Sequence, residues 1–223
     1  MLDLTAIRAE KARRAQNRIE SYFPDSGPFR RELYPKHLEF FAAGKEYNER
    51  LLMAANRVGK SDAGAYETTL HLTGNYPHWW EGKRFTSPVK AWACSDTNKT
   101  AREVLQEKLY GPLSAPGTGM IPAAAIVHRT SKAGLAESID TIYVKHASGG
   151  TSSVQIKSYQ EGRESFQGAA IHCGWMDETP GQSIYAEVLL RTMTTDGIVF
   201  VTMTPLLGLD ELVLSFMPEG MPS

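Results

Sequence analysis

Only two cysteines, Cys94 and Cys173, occur in the 223-residue chain, and each falls inside an apolar run. Neither forms a metal-type spacing, and a free thiol in such a run acts as a small buried hydrophobe. The six histidines are scattered without helical or zinc-ligand spacing, which removes the commonest imidazole site. An excess of either charge is missing too. With a formal net charge of −1, any contact with nucleic acid needs a local patch rather than a global field. No apolar run approaches the ~18 residues of a membrane span, and no secretory leader is recognisable, so a cytoplasmic protein is expected. Internal repeats and low-complexity tracts are absent as well.

What is present is ordinary in bulk and specific in one place. Hydrophobic residues make up 42% and charged residues 22%, the balance of a soluble globular chain that buries one sizeable core. The specific place is Leu51-Leu52-Met53-Ala54-Ala55-Asn56-Arg57-Val58-Gly59-Lys60-Ser61, which reads as a buried strand breaking into a phosphate-binding loop. Backbone N–H groups and a helix N-terminus can surround phosphate oxygens there. Ala55, Asn56, Arg57, Val58 and Gly59 would form the cradle, with Lys60 reaching the outer phosphates and the Ser61 hydroxyl ligating Mg2+. Arg57 either brings a second cation toward a γ-phosphate, where it would offset charge during transfer, or is a solvated arginine. Ala54 stands where the full template has glycine. Ala63, Tyr66 and Leu70 then recur at helical spacing, and Gly74 suits a C-cap.

Residues 4 to about 21 read as a helix with a basic bias from Arg8, Lys11, Arg13, Arg14 and Arg18, either a solvated face or a partner contact. A loop over 23–28 and a short helix over 38–43 follow. Further strands are expected over 89–94, 169–176 and 197–203, helices over 97–110 and 184–193, and a hairpin of 142–145 with 153–157 around Gly149-Gly150. Residues 112–125 read as a surface excursion. Strands alternating with helices predict an α/β domain in three layers, a mostly parallel central sheet with helices on both faces and an antiparallel hairpin addition.

Phosphoanhydride hydrolysis needs a held metal and a base that orients water, and acidic residues at the C-terminal end of a buried strand supply both. Asp177-Glu178 sits at such an end. Asp177 would hold the metal, while Glu178, projecting to the other side of an extended backbone, would polarise the water; the alternative is a pair that caps the next helix. The loop and this pair must then meet across adjacent strand tips. His172 and Gly174 interrupt the strand, His172 reading as a core histidine. Thr202-Met203-Thr204-Pro205 ends another strand in hydroxyls at the same sheet edge, where they can sense phosphate or water, or simply reflect β-propensity.

With these pieces in order, the chain resembles the ATPase domain of the large terminase subunit, the DNA-packaging motor of tailed bacteriophages. Tyr76-Pro77-His78-Trp79-Trp80 with Gly82-Lys83-Arg84-Phe85 resembles the family's aromatic segment, Gly162-Arg163-Glu164-Ser165-Phe166-Gln167-Gly168 the loop before its acidic strand, and Thr202 to Pro205 its coupling motif. The resemblance implies a P-loop NTPase fold of the additional-strand, catalytic-glutamate type. It implies ATP binding by Lys60 and Ser61, Mg2+ on Ser61 and Asp177, catalysis by Glu178 with Arg57, and coupling through Thr202 and Thr204. Arg163 would be a trans arginine finger in a homo-oligomeric ring, with Arg84 and Arg129 as alternatives. Partners would be double-stranded viral DNA, portal protein and small terminase subunit, in the host bacterial cytoplasm. The adenine-binding glutamine expected near Tyr34-Pro35-Lys36-His37 is not evident, and His37 is a candidate substitute. The expected organisation is an N-terminal helical, adenine-side segment over 1–45, an ATPase core over 46–206 and a linker over 207–223, without the family's nuclease domain. Rival readings are a helicase-like translocase and a non-hydrolysing nucleotide-binding assembly protein.

Overall fold

A computed structural model describes residues 4–205 and 211–217. Seven strands form one sheet: β1 (Glu49–Met53), β2 (Lys90–Ser95), β3 (Ile126–Ser131), β4 (Ile139–Lys145), β5 (Thr151–Ser158), β6 (Cys173–Asp177) and β7 (Ile198–Met203). Their order is β1-β7-β6-β2-β5-β4-β3. The first five in that order run parallel, and β4 and β3 add an antiparallel edge. The helices are α1 (Leu4–Ala15), α2 (Pro35–Ala43), α3 (Lys60–Thr73), α4 (Asn98–Thr100), α5 (Glu107–Leu109), α6 (Gln182–Thr192) and α7 (Glu211–Ser215). A π-helical stretch, Ala101–Gln106, joins α4 to α5.

Two-residue periodicity sorts the strand side chains into two cores. Cys173 and Trp175 of β6, Ala91 and Ala93 of β2, and Phe200 of β7 face Ala63, Tyr66 and Leu70 of α3. Their alternates Met176, Cys94, Val199 and Val201 face Ile184, Tyr185 and Val188 of α6 and Leu212 and Val213 of α7. The predicted α/β layering is therefore present. Both cysteines are free and buried, and burial pushes the Cys94 thiol up to about 12.

Glycines mark where a helix presses on the acidic strand. A Cβ on Gly174 would lie 2.8 Å from Cγ1 of Val188, which explains the break in the apolar run of β6: α6 needs the space. On the other face a Cβ on Gly64 would lie 2.3 Å from Nε1 of Trp175. His172 falls just before β6, half-buried, with Nδ1 accepting the Lys90 N–H at 3.1 Å. It is a structural histidine.

Several expectations need revision. The helix expected to about residue 21 ends at Ala15, and Arg18–Ser21 forms a separate 3-10 turn. Residues 112–125 are not wholly a surface excursion, because Met120 and Ile121 are fully buried and their N–H groups donate to the carbonyls of Lys108 and Leu109. Strand β3 was not expected. Of the 207–223 linker segment, 207–210 and 218–223 lie outside the described residues, and Glu211–Ser215 is helical.

An ion pair fastens α3 to the first strand. Glu67 of α3 and Arg50 of β1 are buried, bridged at 2.6 Å and 3.2 Å, and Arg50 also donates to the Phe40 carbonyl at 2.8 Å. The guanidinium lies over the rings of both Phe40 and Phe200. His71 adds a contact to Glu67 at 3.3 Å and passes the network to the Tyr76 hydroxyl at 3.0 Å. Burial opposes ionisation of Glu67, yet Arg50 and His71 hold its pKa below the usual carboxylate value.

Candidate active site

Strand β1 ends at Met53, the chain loops through residues 54–59, and α3 begins at Lys60. Arg57 and Gly59 take the left-handed region, with φ of 64° and 86°. Ala54 is not among the positive-φ residues, and its N–H still donates to the Met203 carbonyl at 3.3 Å, so the missing template glycine is not required there. Lys60 is largely buried, and its ammonium donates to the Ala55 carbonyl at 2.8 Å. Asn56, Arg57 and Val58 are exposed along the loop.

The acidic pair arrives from β6. Oγ of Ser61 donates to Oδ2 of Asp177 at 3.2 Å, and Oγ1 of Thr202 donates to Oδ1 at 2.6 Å. The expected convergence of loop and acidic pair is therefore present, though not across adjacent tips, since β7 lies between β1 and β6. That intervening strand supplies the hydroxyls. The Thr204 N–H donates to Oε2 of Glu178 at 3.2 Å, and the Thr204 hydroxyl donates to Oδ1 of Asn56 at 2.9 Å, joining loop, acid and β7 in one chain of contacts. Glu178 is not extended as expected. Its φ is 64°, so the backbone turns sharply after Asp177 even while its N–H keeps a 2.8 Å bond to the Thr202 carbonyl.

Burial raises the Asp177 pKa to about 6, against the pull of Thr202 and Ser61. A cation brought beside it would favour the carboxylate. Among the described residues no group of three or more His, Cys, Asp or Glu could hold a metal alone. Ser61 and Asp177 offer hard oxygen donors, which suit Mg2+ completed by phosphate oxygens and water.

Sequence reasoning missed Tyr159, Asp62 and Trp175. The Tyr159 hydroxyl reaches the carbonyls of Asp177 and Glu178 at 3.3 and 3.0 Å and braces the turn. Asp62, next to Ser61, accepts from the Tyr22 hydroxyl at 3.1 Å and from Lys108 at 2.9 Å. Trp175 donates to the Thr202 hydroxyl at 2.8 Å. Asp62 alone carried a local signal, its place directly after the loop serine.

Beside the loop a cavity of about 570 Å³ is lined by Tyr22, Phe23, Tyr34, His37, Arg57 and Gly59, among others. His37 lies against the backbone of Val58 and Gly59, and burial lowers its pKa. Arg163 is elsewhere engaged: its Nε and Nη2 both donate to Oε2 of Glu187 on α6 at 3.1 Å, and the side chain is 58% exposed. Arg84 bonds the Trp80 carbonyl, and Arg129 lies over the Tyr110 ring.

The model of the family described as terminase large subunit, T4likevirus-type, N-terminal, matches residues 51–213. The chain belongs to this large terminase family. The large terminase subunit of Salmonella phage P22 is 38% identical over 82% of this chain and 41% of its own length. This terminase chain thus spans about two fifths of that relative. A solved large terminase from a thermophilic bacteriophage, in complex with ADP, aligns with a TM-score of 0.47 at 11% identity, covering 85% of this chain and 37% of its own. No helix among the described residues of the terminase chain is long and apolar enough to cross a membrane.

Proposed function

We propose that the chain binds and hydrolyses ATP and that, in its assembled form, hydrolysis drives double-stranded viral DNA into a procapsid. The contact that carries this reading is the 3.2 Å bond between Ser61 and Asp177, which joins the phosphate loop to the acidic strand. The family membership and the Glu178–Thr204 bond support it.

In this reading residues 55–61 enclose the phosphates, with Lys60 shifting from the Ala55 carbonyl to phosphate oxygens. Ser61 and Asp177 would hold Mg2+, which supplies charge neutralisation on the phosphates when bound. Glu178 orients and polarises the attacking water, and Arg57 offsets charge on the transferred group. Thr204 touches both Asn56 and Glu178, so its segment registers what occupies the site and passes the difference on. The aromatic cavity takes the base, with His37 in place of the glutamine. Arg163, exposed on its face, acts toward a neighbouring copy in a ring. Portal protein, small terminase subunit and a host bacterial cytoplasm complete the setting. Residues 46–206 form the ATPase core in this reading, and 1–45 its adenine side. Trp80 is only 3% exposed and Trp79 stacks on Tyr66, so neither is a platform for single-stranded bases, which weighs against a helicase-like reading.

Titration of fluorescent ATP analogue into wild type and Lys60→Ala tests the site. Loss of a charge-assisted contact to phosphate, about 1.5–3 kcal/mol, lowers affinity about tenfold to a hundredfold. Unchanged affinity would overturn the assignment.

A further inference from the structure

We infer that Trp175 is a positioning residue that fixes which oxygen of Asp177 faces the cation. The inference rests on the nucleotide reading above. Trp175 is fully buried on β6, two residues before Asp177 and on the same face of the sheet. An indole N–H can only donate, so the 2.8 Å contact from Nε1 makes the Thr202 hydroxyl an acceptor there. The single hydroxyl proton is thereby directed to Oδ1 of Asp177 at 2.6 Å. Oδ1 is engaged inside the sheet, and Oδ2 is left toward Ser61 at 3.2 Å. Without that anchor a carboxylate rotates softly about its terminal bond, and its two oxygens are equivalent.

The ring itself has nowhere to go. A Cβ on Gly64 would sit 2.3 Å from Nε1 and 2.4 Å from Cε2, so α3, the helix that starts at Lys60, rests directly on the indole. One side chain therefore links the phosphate-loop helix, the hydroxyl strand and the metal carboxylate. It is fully buried, and its one polar atom bonds Thr202, through which it acts on Asp177.

The test measures ADP affinity across a Mg2+ titration in the intact chain for Trp175→Phe, Thr202→Val and the double variant, with unfolding midpoints recorded for each. The expected result is metal-free ADP affinity within about twofold of wild type and an approximately tenfold rise in the Mg2+ needed for half-maximal enhancement. The double variant should show no more than the larger single effect, since both act on one bond. Gly64→Ala, which pushes the ring from the helix side, should raise the Mg2+ requirement too, and it keeps the inference open to refutation if Trp175→Phe does not fold. A normal Mg2+ requirement in Trp175→Phe or in Gly64→Ala, or additive effects in the double variant, would overturn it. The nucleotide reading fails separately: if Lys60→Ala binds ADP as wild type does, the site itself is misassigned.

Discussion

Glu178→Gln is expected to lower ATP turnover by about 10²–10⁴-fold while leaving nucleotide affinity close to wild type. The amide has nearly the shape of the carboxylate and keeps an oxygen to accept the Thr204 N–H, so the loop, the β7 end and the Asn56 contact should survive. What would be lost, on the proposed mechanism, is the negative charge that polarises the attacking water. Lys60→Ala should fail in the opposite way, at binding. Single-turnover hydrolysis beside equilibrium titration separates the two. Equal hydrolysis by wild type and Glu178→Gln, in oligomers as in monomers, would remove Glu178 from the chemistry. Parallel binding losses in both variants would mean that the two residues do not hold separate roles.

The largest stability effect is expected at Glu67→Ala. Removing this carboxylate leaves the Arg50 guanidinium buried against Phe40 and Phe200, with the Phe40 carbonyl as its hydrogen-bond acceptor and no counter-charge in contact among the described residues. Breaking a buried pair on one side typically costs about 3–5 kcal/mol, far more than an exposed pair such as Lys36–Glu39. Replacing both partners, Arg50→Met with Glu67→Leu, should recover most of that loss, because the unpaired charge disappears with its partner. Urea unfolding of the two single variants and the double variant checks the prediction. A double variant as unstable as the sum of the singles would show that packing, not charge, sets the cost.

Strand β7 was legible because it is buried along its whole length, on both faces, and bounded by turn residues, and the antiparallel β4–β5 hairpin was legible from the Gly149-Gly150 turn. Strand β3 was not: Ile126–Ser131 is an edge strand, and His128, Thr130 and Ser131 are exposed, so its pattern has no apolar face to read. Around the site, Lys60, Ser61, Asp177 and Thr202 were legible because local residue types announce phosphate, metal and hydroxyl chemistry. Their meeting in space accords with that reading, while their chemical roles rest on the experiments above. Tyr159 and Trp175 carried no such mark. Their parts depend on residues distant in the chain, a turn after β6 for one and a glycine on α3 for the other. The left-handed backbone at Glu178 was equally hidden, since glutamate has no preference for it.

Strand β6 is gripped on both faces: Val188 of α6 closes on Gly174, and α3 rests on Trp175 at Gly64. With helices seated this close, neither layer can slide over the sheet without steric collision, because packed interiors switch between arrangements instead of deforming smoothly. On the proposed motor function, a stroke would therefore leave through the backbone at 54–59 and beyond Asp177, with the sheet and its two clamping helices moving together.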